Sequence, residues 1–348
     1  MDGAALPSFG KLPGIGALDK IFTDNFKINK RKLEKVEEEE DEDPGPLPAD
    51  PKIPKFNKDH LKSMIIARKK VNCLDDLSQL LKNSEKYQKA RMASRITAYR
   101  DPDFPTELKS LIGFQMPRDL PYYQSLKWLR PKEFFRGPGK IAVYDDIEPD
   151  DIIQGALGDC YFLAACSSIA NKPERLERLF LSGGEYNRDG LHAVAICLNG
   201  IWEEILLDDQ FPCTPVSKKP AFNTSKQGEL WVMMLEKAWA KVHDGYLNIS
   251  AGLTREALRD LTGASAKTFF TEKSGPKKEK LWDVLVESHM KGHIMCAGSD
   301  DLSGGSDAYI EKIGICGSHA YSVLGVFEVS GNQVVSLGSH KNRCNLLF

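Results

Sequence analysis

Residues 151–166 read DIIQGALGDCYFLAAC, and they leave the backbone little choice. Glycines at 155 and 158 loosen the chain and disfavour a helix up to that point. Beyond them the run YFLAAC is apolar and free of Gly and Pro, so a helix is expected to begin at Cys160. At a helix N-terminus the aligned peptide dipoles favour negative charge, the state in which a thiol is nucleophilic. Gln154, on the short loop before it, carries amide N–H donors that can reach over the thiol. Together with the Cys160 backbone N–H it would form an oxyanion hole. The plainer alternative makes Cys160 one more buried thiol, the role expected of Cys166 in YFLAACSSIA and Cys197 in HAVAICL.

A nucleophilic cysteine needs a base, and the chain has seven histidines. His319 lies in GICGSHAYSVLGV, behind two glycines and at the beginning of an apolar strand, a setting that holds an imidazole rigidly at a cleft edge. His289 and His293, spaced i and i+4, have neither the Glu of HExxH nor an identifiable third ligand, so a zinc site is not expected. His192 and His243 read as structural, and His60 and His340 carry no signal. An Asn or Asp following the base would fix its tautomer, and on position alone either Asn342 or Asn345 would serve.

The rest of the chain frames this pair. Residues 1–56 contain EEEEDED and then PGPLPADPKIP; like charges repel and proline withholds donors, so a disordered tail is expected, with a regulatory docking role as the sharper alternative. Apolar residues three or four apart predict a helical extension over 57–99. LHAVAICL and IWEEILLDD read as a hairpin turning at Asn199-Gly200, and HAYSVLGVFEV with NQVVSL as another turning at Ser330-Gly331. Residues 229–242 read as a helix with Trp231, Leu235, Ala238 and Val242 on one face. The body is therefore α+β, divided near residue 252 into segments 100–252 and 253–348. The eight cysteines include no CxxC pair, which points to a reducing, cytoplasmic compartment. A net charge of -2 gives no reason to expect nucleic acid, and neither a membrane span, a signal peptide nor a myristoylation signal is expected.

DIIQGALGDCYFLAAC, YRDPDFP, KWLRPKEF, GELWVMMLEKAWAKVHDGY and HAYSVLGV, in this order, resemble the catalytic core of the calpain family of cysteine proteases over roughly residues 100–342. The resemblance implies a papain-like core of two lobes, with Gln154 as oxyanion donor, Cys160 as nucleophile, His319 as base and Asn342 as its orienting partner. The chain departs from the family at Tyr161, where Trp is usual, and at Arg343, Cys344 and Asn345, where the family has Pro-Trp-Gly after the asparagine. The second lobe would then be shortened at its C-terminal end. Calcium in this family draws the two lobes together, and Asp151 and Glu229 fall where the first-lobe ion has its acidic ligands; otherwise they are a loop carboxylate and a carboxylate in a helix's first turn. The function implied is a calcium-dependent intracellular cysteine endopeptidase making limited cuts in protein substrates. The alternative, resting on those departures, is a weakly active or inactive calpain-like binding or regulatory protein.

Overall fold

The computed structural model describes residues 77–135, 140–225, 228–270, 278–299, 315–329, 332–339 and 346–347. The tail over 1–56, the first part of the helical extension, the Ser330-Gly331 turn and Asn342 lie outside the described residues.

Helices α1 (Ser78–Lys82) and α2 (Glu85–Ser94) form the described part of the extension. Short helices α3 (Leu108–Ile112) and α4 (Leu120–Ser125), strand β1 (Lys127–Leu129) and helix α5 (Pro131–Phe134) follow, each too short for a periodic apolar signal. Strand β2 (Ile152–Ile153) leads through the glycine loop to α6 (Cys160–Ala170), which starts at the cysteine as its sequence demands. Helix α7 (Pro173–Glu177) precedes the hairpin of β3 (Leu191–Leu198) and β4 (Ile201–Asp208), paired antiparallel from Leu191↔Asp208 to Leu198↔Ile201. Its turn residues Asn199 and Gly200 take φ of 51° and 79°, the left-handed values that an Asn-Gly turn accommodates.

Strands β5 (Phe211–Cys213) and β6 (Thr224–Ser225) pair with β1 and β2 respectively. Helix α8 (Trp231–Val242) is enclosed on every side from Trp231 to Ala240. It starts two residues later than the sequence pattern indicates, which leaves Glu229 before the helix and not in its first turn. The reason is local: the Glu229 carboxylate accepts hydrogen bonds from the Asp145 N–H at 2.5 Å and the Asp146 N–H at 3.0 Å, holding its backbone against the 142–146 segment.

Helix α9 (Thr254–Thr262) packs on α6 and β3, and its Ala257 and Leu261 join the large apolar core built by α6, β3, β4 and α8. Helix α10 (Lys278–Met290) then precedes β7 (Met295–Gly298), β8 (Ala320–Val329), β9 (Asn332–Gly338) and β10 (Leu346–Leu347), an antiparallel sheet in the order β10-β9-β8-β7. A second apolar cluster of Tyr321, Val323, Val326 and Leu337 lies between this sheet and Trp282 and Leu285 of α10. The architecture is α+β, as the sequence indicates. Among the described residues no helix is long and apolar enough to cross a membrane.

Candidate active site

The loop from Gln154 to Asp159 is pinned by its backbone. Ile152 pairs with Ser225, the Gly155 N–H donates to Asn223 Oδ1 at 3.1 Å, and the Ala156 N–H donates to the Ala221 carbonyl at 3.1 Å. Gly155 is required here for space, since a Cβ would overlap the Phe222 carbonyl. Gln154 donates one amide hydrogen to the Leu157 carbonyl at 2.8 Å. A primary amide carries two such hydrogens.

Helix α6 begins where this loop ends. The Asp159 carbonyl accepts from the Phe162 and Leu163 N–H groups at 2.9 and 3.1 Å, leaving Cys160 as the first helical residue. Its thiol is free and half-buried, whereas Tyr161–Ala170 are enclosed. Tyr161, which stands at the family's Trp position, is not idle: its hydroxyl accepts from Trp239 Nε1 at 3.1 Å, and Phe162 stacks on the same indole at 5.2 Å.

Strands β7 and β8, the second of which directly follows His319, pack on α6. Asn171 Nδ2 donates to the Leu324 carbonyl at 3.0 Å, the Ser167 hydroxyl donates to Ser322 Oγ at 3.1 Å, and the Ser168 hydroxyl donates to the Met295 carbonyl at 2.8 Å. The helix therefore runs alongside β8 in the same direction. Cys160 is the first residue of that helix, and His319 immediately precedes the strand packed on it.

His319 is held from several directions and is 5% exposed. Its N–H donates to Ser299 Oγ at 3.2 Å, and its carbonyl accepts from the Ser299 N–H at 2.9 Å and hydroxyl at 3.2 Å. The ring stands edge-on to Tyr321, centroids 4.9 Å apart, and its Nε2 lies 3.1 Å from Ser339 Oγ. Ser339, directly after β9, is a partner that sequence reasoning missed. An orienting Asn or Asp was the residue type sought, and a hydroxyl can make the same contact.

A polar cluster beneath the cysteine was also missed. Asn223 Nδ2 donates to Asp159 Oδ2 at 2.6 Å, and the Asn223 N–H donates to Glu236 Oε2 at 3.2 Å. Asp159 is 0% exposed and Glu236 2%. Burial raises both carboxyl groups above the ordinary carboxylate range. The available signal was Glu236 itself, a charged residue inside the apolar run WVMMLEKAWA.

The remaining candidates separate. His192 is enclosed with neither ring nitrogen hydrogen-bonded, and burial, then the Lys237 cation, lowers its pKa to about 4. His243 Nδ1 is bonded to the Trp239 carbonyl at 2.8 Å. Cys166 and Cys197 are buried, and burial pushes the Cys166 thiol well up. Asp151 and Glu229 are both buried at one end of the β2–β6 pair: Asp151 precedes Ile152, opposite Ser225, whose hydroxyl donates to the Glu229 carbonyl. Their carboxylates are hard donors suited to calcium, but two fall short of the six to eight oxygens such an ion takes. The backbone carbonyls of the adjoining loop or water would have to complete the shell. Among the described residues no group of three or more His, Cys, Asp or Glu side chains could hold a metal ion.

A free thiol at a helix N-terminus and an imidazole held just before the strand packed on that helix are the parts a cysteine hydrolase would use. Comparison with known proteins narrows the class. Residues 99–342 match the profile of the calpain family cysteine proteases. The chain is 33% identical over 274 residues to the calpain-type cysteine protease DEK1 of Arabidopsis thaliana, covering 76% of this chain and 12% of that protein. It is 35% identical over 250 residues to the calpain-type cysteine protease ADL1 of Oryza sativa subsp. japonica, covering 69% and 11%. It is 31% identical over 242 residues to the human calpain-2 catalytic subunit, covering 68% and 33%. The chain belongs to the calpain family of cysteine proteases, and it spans only a minor part of the length of these relatives.

Proposed function

We propose that the chain is a calcium-dependent cysteine endopeptidase that makes limited cuts in protein substrates within a reducing, cytoplasmic compartment. The observation that carries this reading is the packing of α6, which starts at Cys160, on β8, which starts directly after His319. Cys160 Sγ attacks the scissile carbonyl carbon while His319 accepts the thiol proton and returns it to the departing amine. The Cys160 N–H and the second amide hydrogen of Gln154 hold the oxyanion. Water, activated by the same imidazole, then releases the acyl group and regenerates the thiol. Ser339 Oγ, bonded to Nε2, keeps the ring in one orientation, and Asn342 is the other candidate for that role through the family resemblance. Calcium, when bound, would supply positive charge to Asp151 and Glu229. Those two carboxylates hold the residues flanking β2 and the start of α8, so their charge balance bears on the loop that leads to Cys160.

The test is cleavage of an unfolded protein such as casein by the purified chain across a calcium titration. Calcium-dependent cleavage that disappears in Cys160→Ser and falls about 100- to 1000-fold in Gln154→Ala supports the reading. A folded chain without cleavage at any calcium concentration would favour a calpain-like binding protein instead.

A further inference from the structure

The cluster beneath Cys160 holds two buried carboxyl groups and lacks a counter-charge. Asp159 directly precedes α6 without a capping bond from its side chain, Glu236 lies mid-way along α8, and neither has an ion-pair partner among the described residues. Lys237, beside Glu236 on α8, is committed to Asp208 and to the Gln210 carbonyl. Asn223 fills one oxygen on each carboxyl, Asp159 Oδ2 and Glu236 Oε2. The other two, Asp159 Oδ1 and Glu236 Oε1, are fully enclosed and accept no hydrogen bond, while both carboxyl groups are held by the one residue Asn223. Two ionised carboxylates in that position would repel each other in a low-dielectric interior and leave two acceptors unsatisfied. A single proton removes both faults.

We propose that Asp159 and Glu236 hold one proton between them, and that this pair, clamped by Asn223, positions the loop that carries Gln154 to Cys160. The connectivity supports the positioning role. Asn223 accepts from the Gly155 N–H at the Gln154 end of the loop and donates to Asp159 at the Cys160 end, so both ends of the oxyanion loop meet in one side chain. The other titratable groups that feel the pair are Cys166 and Tyr161 of α6 and Tyr246 after α8, and burial keeps all three neutral at physiological pH. The catalytic consequence rests on the protease reading, whereas the shared proton does not.

Infrared difference spectroscopy of the full chain at neutral pH tests the proton directly. The C=O stretch of a protonated carboxylic acid, sensitive to exchange into heavy water, is expected in the wild type and absent from Glu236→Gln. Its absence from the wild type would overturn the shared proton whatever the activity. Hydrogen exchange of the Gly155 and Ala156 amides tests the positioning. Glu236→Ala, and Asn223→Ala if the first variant does not fold, are expected to speed that exchange at least tenfold, with Glu236→Gln restoring protection. In turnover the same Ala variants are expected to lower kcat about 10- to 100-fold with KM little changed. Unchanged exchange and kcat in the Ala variants would overturn the positioning role even with the proton present. A wild type that shows the band and the protected loop yet never cleaves would fail the protease reading alone.

Discussion

At the scale of single residues, the site depends on how firmly one imidazole is held. His319 has both backbone polar groups tied to Ser299, an aromatic edge contact to Tyr321 and Ser339 at Nε2. A neutral hydrogen bond of this kind contributes about 1 kcal/mol. Ser339→Ala is therefore expected to lower kcat about five- to tenfold with KM little changed, read by steady-state hydrolysis of a peptide substrate. An unaltered kcat would show that the hydroxyl does not orient the ring. The residues proposed for the chemistry were legible because their local patterns are compact: glycines, then a cysteine, then an apolar helix. Ser339, Asn223 and Glu236 were not, because each acts through a contact distant in sequence, such as that between Asn223 and Asp159, 64 positions apart.

At the scale of elements, α8 shows how a helix can be read correctly and still conceal its main constraint. Its apolar residues predicted the helix, yet Glu236 and Lys237 are enclosed with the rest. Lys237 Nζ donates to Asp208 Oδ1 at 2.5 Å, to the Asp208 carbonyl at 3.0 Å and to the Gln210 carbonyl at 2.6 Å. It also lies 5.5 Å from the ring centres of both Trp128 and Phe211. Lys237→Met would leave the Asp208 carboxylate buried without its cation and is expected to destabilise the fold by about 3–5 kcal/mol. Chemical denaturation checks this, and a loss below 1 kcal/mol would mean that Asp208 finds another partner or a proton. The long hairpins were legible from alternation and the Asn-Gly turn. Strands β1, β2, β5 and β6 were not, since two or three residues cannot display a period and their pairing is decided by the loops around them. The start of α8 was displaced for a similar reason, the capture of Glu229 by two backbone N–H groups of another segment.

At the scale of the whole molecule, the buried ionisable groups set opposing slopes of stability against pH. His192 has its pKa lowered to about 4 from 6.5, so the unfolded chain binds more protons between these values and stability falls as pH falls through that window. The shift corresponds to about 3 kcal/mol at the acid end. Asp159 and Glu236 have raised pKa values, so their contribution is fully present below the ordinary carboxylate range and is lost as pH rises through the raised values. Between pH 4 and 6.5 the two effects therefore oppose each other, and above pH 6.5 only the loss from the carboxyl pair continues. His192→Phe is expected to remove the His limb, making stability fall more steeply with pH between 4 and 6.5, and Glu236→Gln to flatten the carboxyl limb, each followed by thermal unfolding over a pH series. A variant that shifts the curve uniformly, without changing its slope, would contradict the assignment of that limb.

The most direct measurement on the central claim is labelling of the folded chain by a thiol-reactive peptide epoxide, with and without calcium, followed by mapping of the modified residue. Selective modification of Cys160 that requires calcium and is lost in His319→Ala is the predicted result, because only an assembled thiolate–imidazole pair reacts ahead of the other thiols. Equal labelling of Cys160 and the exposed Cys316, or labelling indifferent to His319→Ala, would contradict it.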